Sequence, residues 1–350
     1  MLSFNAIRIL VLTGISFFGA LAITPVITQL LHRLKAGKQI RNSSDAPIFF
    51  NLHHKKEGTP TMGGIIIWVT VLGLSLIFFL LNVFFDGFWK YLNFANRAET
   101  YLPMIAMLIA ALIGLIDDML GILKIGPKGG GISIKHKLVL YAIIGVLGAF
   151  WFYVKLGWTI LYVPFVGNVS INGWYIPLFI FIMVATAFSA NETDGLDGLL
   201  GGVSLFSFAS LAVVAFAMQH YDLAVFSSAI VGALLAFLWF NIYPARFFMG
   251  DTGSMALGIT MGIIALLTNT ALFLPFFAPI LVIESLSVIV QLTSKKLFKR
   301  KIFISTPIHH HFEAKGWPET RITMRFWIIT AISNGVGLVL FFLSRMVTPQ

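Results

Sequence analysis

The sequence predicts an all-α, polytopic integral membrane protein with about ten transmembrane helices, and three observations carry that prediction. Of its 350 residues, 58% are hydrophobic and only 11% charged, against the roughly 25% charged residues of a water-soluble domain. Apolar runs approaching or exceeding the ~20 residues of a membrane helix recur from end to end. The basic residues fall on alternate loops. Such a chain cannot cover a soluble fold of this size, which excludes a cytosolic enzyme, a secreted domain and a disordered chain. The absence of cysteine removes disulfides, thiolate zinc sites and cysteine nucleophiles together. A formal charge of +10 is read here as loop orientation and not as nucleic-acid binding.

The apolar runs lie near 9–31, 65–85, 102–120, 138–154, 174–190, 199–218, 223–243, 253–268, 271–294 and 326–344. The first exceeds a signal-peptide core and no small-residue cleavage site follows it, so it reads as a retained span. The run at 271–294 contains Pro275 and Pro279, which predicts a kinked or broken helix. Segment 155–173, with Gly157, Pro164, Gly167 and Asn168, reads as a loop or hairpin. No soluble domain, repeat or low-complexity linker interrupts the pattern, so residues 1–350 are expected to form one membrane-embedded domain. Nineteen of the 24 Lys and Arg residues lie on the loops after odd-numbered spans. The positive-inside rule makes those loops cytoplasmic and both termini periplasmic, the parity that an even number of spans also gives.

Five carboxylates, Asp117, Asp118, Asp194, Asp197 and Asp251, stand at span boundaries on the expected cytoplasmic side. Each costs ~2.5–3.5 kcal/mol if buried deep in a span. Helix capping accounts for any one of them; five on one face predict a shared polar cleft. Adjacent helical residues point about 100° apart, so Asp117 and Asp118 need not share a ligand, and they repel unless a cation or proton intervenes. One of the pair suits a divalent cation and the other a proton or nucleophile. Segment 191–198, Asn-Glu-Thr-Asp-Gly-Leu-Asp-Gly, superficially echoes a calcium loop, but its twelfth position is Gly202 where such a loop needs a bidentate Glu. Its glycines admit close backbone approach, and its Asn and Asp side chains offer donors and acceptors.

In segment 241–254, Asp251 begins span eight, where a helix N-terminus favours phosphate and the carboxylate suits a bridging divalent cation. Phe248 lies three residues earlier, poised to stack on a base or to face lipid in a chain with 34 Phe. Histidines 309, 310 and 311 cannot all reach one metal from a regular helix and lack zinc-site spacing. They read as phosphate or sugar contacts, or as a solvated loop. Segment 55–64, rich in Lys, Thr and Gly, suits an anion or an anionic lipid surface equally. Glu284, with Gln291 two turns along the same face, reads as an interhelical hydrogen bond or ion pair.

Five motifs then occur in order: Gly-Thr-Pro-Thr-Met-Gly-Gly at 58–64, Asp117-Asp118, Asn-x-x-Asp-Gly-x-Asp-Gly at 191–198, Phe-Met-Gly-Asp-x-Gly at 248–253, and Pro-Ile-His-His-His-Phe-Glu at 307–313. Together they resemble the phospho-N-acetylmuramoyl-pentapeptide transferase family of the polyprenyl-phosphate N-acetylhexosamine-1-phosphate transferase superfamily, from about residue 55 to residue 327. The histidine loop with Gly316, Trp317 and Glu319 is the most specific part of the likeness.

The resemblance implies that undecaprenyl phosphate attacks the sugar-linked phosphorus of UDP-N-acetylmuramoyl-pentapeptide with Mg²⁺, giving lipid I and UMP. It further implies a homodimer in the bacterial inner membrane, among membrane lipid, with its active site facing the cytoplasm. By the same likeness Asp251 is the metal ligand. Asp117 deprotonates or orients the lipid phosphate with Asp118 in support, and His309 completes the catalytic set. Asn191, Asp194, Gly195, Leu196, Asp197, Asn241 and Phe248 line the nucleoside pocket, with Phe248 on the uracil. His309, His310 and His311 contact the diphosphate-sugar, and Lys56 and Thr61 stand at the cleft edge. The family's lysine three positions after the Asp pair is Gly121 here; of Lys124, Lys128, Lys135 and Lys137, the last best suits a later family lysine. The rival readings are a UDP-N-acetylglucosamine-1-phosphate transferase and, from another class, a secondary transporter, which would show inverted repeats and acids at the bilayer midplane.

Overall fold

A computed structural model of the chain describes residues 2–37, 56, 58–85, 87–127 and 130–348. Its longer helices are α1 (Leu2–Arg33), α2 (Ile65–Phe84), α3 (Ala98–Ile122), α4 (Ile134–Phe150), α5 (Tyr175–Thr193), α6 (Leu199–Ala217), α7 (Tyr221–Asn241), α8 (Asp251–Leu267), α9 (Pro279–Phe298), α10 (Ile308–Ala314) and α11 (Glu319–Val347). Every predicted apolar run falls on helix. Among the described residues, eight helices are long and apolar enough to cross a membrane. A bent pair, Ala271–Phe277 and Pro279–Phe298, meets at 92° and makes a ninth if its two halves together form one crossing. Pro279 has no N–H to continue the preceding turn, and Ala278 before it leaves the helical region with φ −132° and ψ 52°.

The expected count of ten meets one difference. Helix α8 has 17 residues, about 26 Å at 1.5 Å per residue, short of the ~30 Å hydrocarbon core. Every residue of α8 after Asp251 is buried; ringed by α3, α5 and α6, it has no lipid thickness to match. Helices α6 and α7 are also mostly enclosed, whereas α1, α2, α3, α4 and α11 turn apolar faces outward, where lipid is the solvent.

Segment 155–173 includes the hairpin. Ile160–Val163 pairs antiparallel with Gly167–Ser170, Ile160 opposite Ser170. The backbone N–H of Tyr162 donates to Asn269 Oδ1 at 2.9 Å, and the Tyr162 hydroxyl meets Ser344 at 2.7 Å. Both contacts lie past the C-terminal end of α8 or near that of α11, so the hairpin caps the end of the bundle remote from Asp251.

The α3–α8 crossing positions the site. A Cβ on Gly114 would meet the backbone oxygen of Asp251 at 2.2 Å, so only glycine lets the two backbones approach this closely. Gly114 lies one turn before Asp117, and the crossing therefore brings the acid pair of α3 against the first turn of α8. Gly114→Ala is expected to lower the thermal midpoint in detergent by an overpacking cost of ~1–3 kcal/mol. Gly73→Ala, whose added Cβ meets nothing within 4 Å, should leave it unchanged or raise it slightly. Equal midpoints for the two variants would contradict the crossing.

Candidate active site

The site begins where α3 ends and α8 starts. Asp117, buried on α3, has Oδ2 2.5 Å from Lys137 Nζ, and the same ammonium donates to Asp251 Oδ2. Asp117 Oδ1 accepts from the backbone N–H of Ile132, and Asp251 Oδ1 accepts from Asn191 Nδ2 at 2.6 Å. Four helices and one connecting loop thus converge on two carboxylates and one cation. Ser133, whose Oγ caps the start of α4, sets the register that carries Lys137 into this position. Of the candidate lysines, Lys137 is therefore the one between the carboxylates. Lys55, Glu57 and Lys128 lie outside the described residues.

Asp118 points elsewhere, as adjacency on a helix requires. Its Oδ2 accepts from the Thr252 N–H at 3.0 Å, and so satisfies the α8 N-terminus that the sequence reads as a phosphate seat. Asp194 Oδ2 accepts from the Gly250 N–H at 3.1 Å. Thr61, buried, has its Oγ1 beside Gly250 along with Asp118 Oδ2. Segment 58–64 is laced to the 244–250 loop by backbone bonds from Phe248 to Pro60 and from Gly63 to Phe248, each 2.8 Å.

A second charged cluster flanks the first. Lys56 Nζ lies 2.7 Å from Asp197 Oδ1 and 2.6 Å from Glu319 Oε1, and Glu319 also accepts from the Asp197 N–H at 2.6 Å. The rings of Phe248 and Tyr243 both sit 5.8 Å from that ammonium. Phe248 is half-buried, beside a charged group and not in the lipid-facing belt. Asn241 uses both ends of its carboxamide inside the fold, accepting from the Gly198 N–H at 3.0 Å and donating to the Phe247 carbonyl at 2.8 Å. Leu196 is buried in the apolar core. These two residues shape the wall behind the cleft, and their side chains are committed to the fold.

The three histidines face three partners. His309 is fully buried, its Nδ1 3.1 Å from Glu284 Oε2, an ion-pair separation. Burial alone would push its imidazole down, but the Glu284 carboxylate outweighs that and holds it above the usual value. A Cβ at Gly195 would strike His309 Nε2 at 2.1 Å, so that glycine admits a histidine ring where the sequence suggests a ligand. His310 Nδ1 meets Glu313 at 2.6 Å. His311 turns away: its Nδ1 accepts from the Ile304 N–H at 3.1 Å, and burial with the Lys315 ammonium pushes it down.

Asp117, Asp118, Asp251, Lys137 and Asn191 therefore share one contact network. Asp194 and Gly195 link it to His309, while His311 stands at its margin. Sequence reasoning places Glu319 in the histidine-loop motif without the role in which it shares Lys56 with Asp197, and the interhelical ion pair it expects of Glu284 is made with a histidine of that loop. Among the described residues no three His, Cys, Asp or Glu side chains gather as a metal cage. The donor set nevertheless fits a small hard divalent cation, which takes one or two carboxylates and leaves its other positions to water and phosphate oxygens. The two carboxylates already converge on one positive charge.

Comparison with known proteins decides the family. A family model described as Glycosyl transferase family 4 matches residues 101–269, and the phospho-N-acetylmuramoyl-pentapeptide-transferase signature 1 matches residues 56–67. The chain is 40% identical over 328 residues to the phospho-N-acetylmuramoyl-pentapeptide-transferase of Clostridium novyi, covering 93% of this chain and 94% of that one. It is 36% identical over 331 residues to that of Anoxybacillus flavithermus, covering 94% and 97%.

The chain belongs to the phospho-N-acetylmuramoyl-pentapeptide-transferase family.

The family signature covers Lys56 and Thr61, and the glycosyl transferase model covers the acid pair, the Asn191 loop and Asp251. The histidine loop lies beyond both matched segments. Its internal pairing gives a test by pH. His309 is more readily protonated in the folded protein, so the stability it contributes is fully present below the unfolded imidazole value of about 6.5. That stability is lost as pH rises through the higher folded value. The thermal midpoint is expected to fall as pH is raised above 6.5, and Glu284→Gln should flatten that fall. The same slope in both proteins would remove the His309–Glu284 pair from the account.

Proposed function

We propose that this site joins undecaprenyl phosphate to the phospho-N-acetylmuramoyl-pentapeptide of the UDP-linked donor, releasing UMP and leaving lipid I in the membrane. An oxygen of the lipid phosphate forms a bond to the sugar-linked phosphorus. The bond from that phosphorus to the bridging oxygen breaks, and the oxygen leaves with UMP. Two anionic reactants must meet, so most of the work is positioning and charge neutralisation. The single observation that supports this chemistry best is the ammonium of Lys137 between Asp117 and Asp251, within a family of transferases that act on these groups.

Each side chain then has a task. Lys137 offsets phosphate charge, and Asp117, steadied by the Ile132 N–H and Lys137, orients the attacking lipid phosphate. Asp118 fixes the first turn of α8 and through it Asp251. Asp251, with Asp117 beside it, would hold Mg²⁺, which supplies neutralisation of the diphosphate when bound. Phe248 offers its ring to the uracil, Lys56 and Thr61 line the edge, and Asn191, Asp194 and Asp197 face the nucleotide with the backbone of Gly195 and Leu196 and the wall set by Asn241. His309, with His310 and His311 behind it, flanks the diphosphate-sugar. The whole of 1–350 acts as one transferase unit, multi-pass in the bacterial inner membrane with this face toward the cytoplasm and a second copy as its partner.

Purified protein supplied with undecaprenyl phosphate and UDP-N-acetylmuramoyl-pentapeptide is expected to release UMP only with Mg²⁺. Turnover of UDP-N-acetylglucosamine alone would refute the assigned substrate. Asp251→Asn should lower the rate by at least about 10³-fold, the scale of losing a central electrostatic group, with the protein still folded. Phe248→Ala should raise KM for the nucleotide substrate about tenfold, as loss of one base-stacking ring does, and leave kcat close to wild type. An unchanged KM removes the stacking role.

A further inference from the structure

One buried polar group beside the site has no part in the network above. Tyr141 lies on α4 four residues after Lys137, on the same face and one turn further along. Its side chain is 2% exposed, and among the described residues no group lies within hydrogen-bond reach of its hydroxyl. A buried hydroxyl left without a partner costs stability, since it has given up water and gained nothing. The charges that act on it are Asp251, Asp117 and Glu192, carboxylates from α8, α3 and α5. The hydroxyl is thus a neutral donor one turn along α4 from Lys137, within the field of the acid cluster and with no acceptor among the described residues.

Tyr175 provides the contrast. Its hydroxyl is also buried and unpartnered, but its ring sits among Phe152, Trp158 and Phe179 and only burial acts on it. An idle hydroxyl in an apolar cage is a packing cost. An idle hydroxyl one turn from Lys137, buried in the field of the carboxylates that hold its ammonium, is a donor whose acceptor arrives with the ligand.

We propose that the Tyr141 hydroxyl donates a hydrogen bond to a phosphate oxygen of the reactant seated at Asp117, Lys137 and Asp251, an inference that rests on the reading of this site as a phosphoryl-transfer centre. A neutral donor suits the position. It binds an anionic oxygen without adding a second cation to compete with Lys137 for the carboxylates, and inside a low-dielectric cleft a bond to a charged oxygen is about twice as strong as a neutral one. The oxygen belongs either to the lipid phosphate or to the nucleotide diphosphate, which share this chemistry.

The test uses full-length protein and compares wild type, Tyr141→Phe and Tyr175→Phe. Phenylalanine keeps the ring and deletes only the hydroxyl. Tyr141→Phe is expected to lose about 10- to 100-fold in kcat/KM for UMP release, the scale of one hydrogen bond to a charged group, while its thermal midpoint equals or exceeds wild type. Tyr175→Phe should turn over like wild type. The rise in midpoint on adding each reactant separately, read against each variant's own ligand-free value, assigns the oxygen. A smaller rise with undecaprenyl phosphate points to the lipid phosphate, and a smaller rise with the nucleotide substrate points to the diphosphate. Wild-type turnover in Tyr141→Phe overturns the inference. So does a rate loss accompanied by a collapsed midpoint and undiminished ligand-induced rises, which marks a structural role. Absence of UMP release from wild type refutes the proposed function itself, whereas an active wild type with an equally active Tyr141→Phe refutes the role of Tyr141 alone.

Discussion

Asp117 and Asp251 come from different helices and meet across a single ammonium, that of Lys137. Two carboxylates brought this close at the edge of a bilayer repel, and each has surrendered much of its hydration. The arrangement is tolerable only because a cation stands between them and because their remaining oxygens are met, Asp117 by Ile132 and Asp251 by Asn191. The ends of α3 and α5 and the starts of α4 and α8 cannot be moved independently without uncovering one of these charges. The glycine crossing at Gly114 and the Asp118 bond to Thr252 hold the two helices at the separation that this compensation requires.

The surrounding loops extend the same logic. Lys56 answers Asp197 and Glu319 together, tying the loop before α2 to the α5–α6 connection and to the start of α11. Glu284 on the broken α9 answers His309, so the bend that proline introduces delivers a counter-charge to the histidine loop. Gln291 further along α9 accepts from Ile302 and Phe303 and pins the chain leading into that loop. Lys56 and Glu284 thus each meet an opposite charge on another element. The polar cleft and its apolar scaffold are consequently one mechanical unit, with α8 at the centre and lipid at the rim.

The membrane helices were legible because hydropathy acts locally: a run of apolar residues announces itself without reference to the rest of the chain. Pro275 and Pro279 marked the break for the same reason. The acids of the site were legible as a set, because five carboxylates at one boundary are costly unless they serve something together. Their partners were not. Glu284 and His309 are 25 residues apart, and Lys56 and Glu319 are 263 apart, distances over which no spacing rule speaks. Gly195 looked like room for a ligand because glycine permits close approach by anything; that the visitor is a histidine ring depends on where α10 folds. The short span of α8 was hidden as well, since a helix wholly enclosed by protein carries the same apolar signal as one that meets lipid.

The central claim is that Lys137 offsets the mutual repulsion of the buried Asp117 and the partly exposed Asp251, and a stability cycle tests it without reference to turnover. Thermal midpoints are measured for wild type, Lys137→Met, Asp117→Asn and the double variant in one detergent at one pH. Removing the ammonium alone leaves Asp117 and Asp251 facing each other, so Lys137→Met should be the least stable of the four, and adding Asp117→Asn should restore part of the loss. Losses that simply add in the double variant would mean that the three groups do not share their charge, and the account of the site would fail with them.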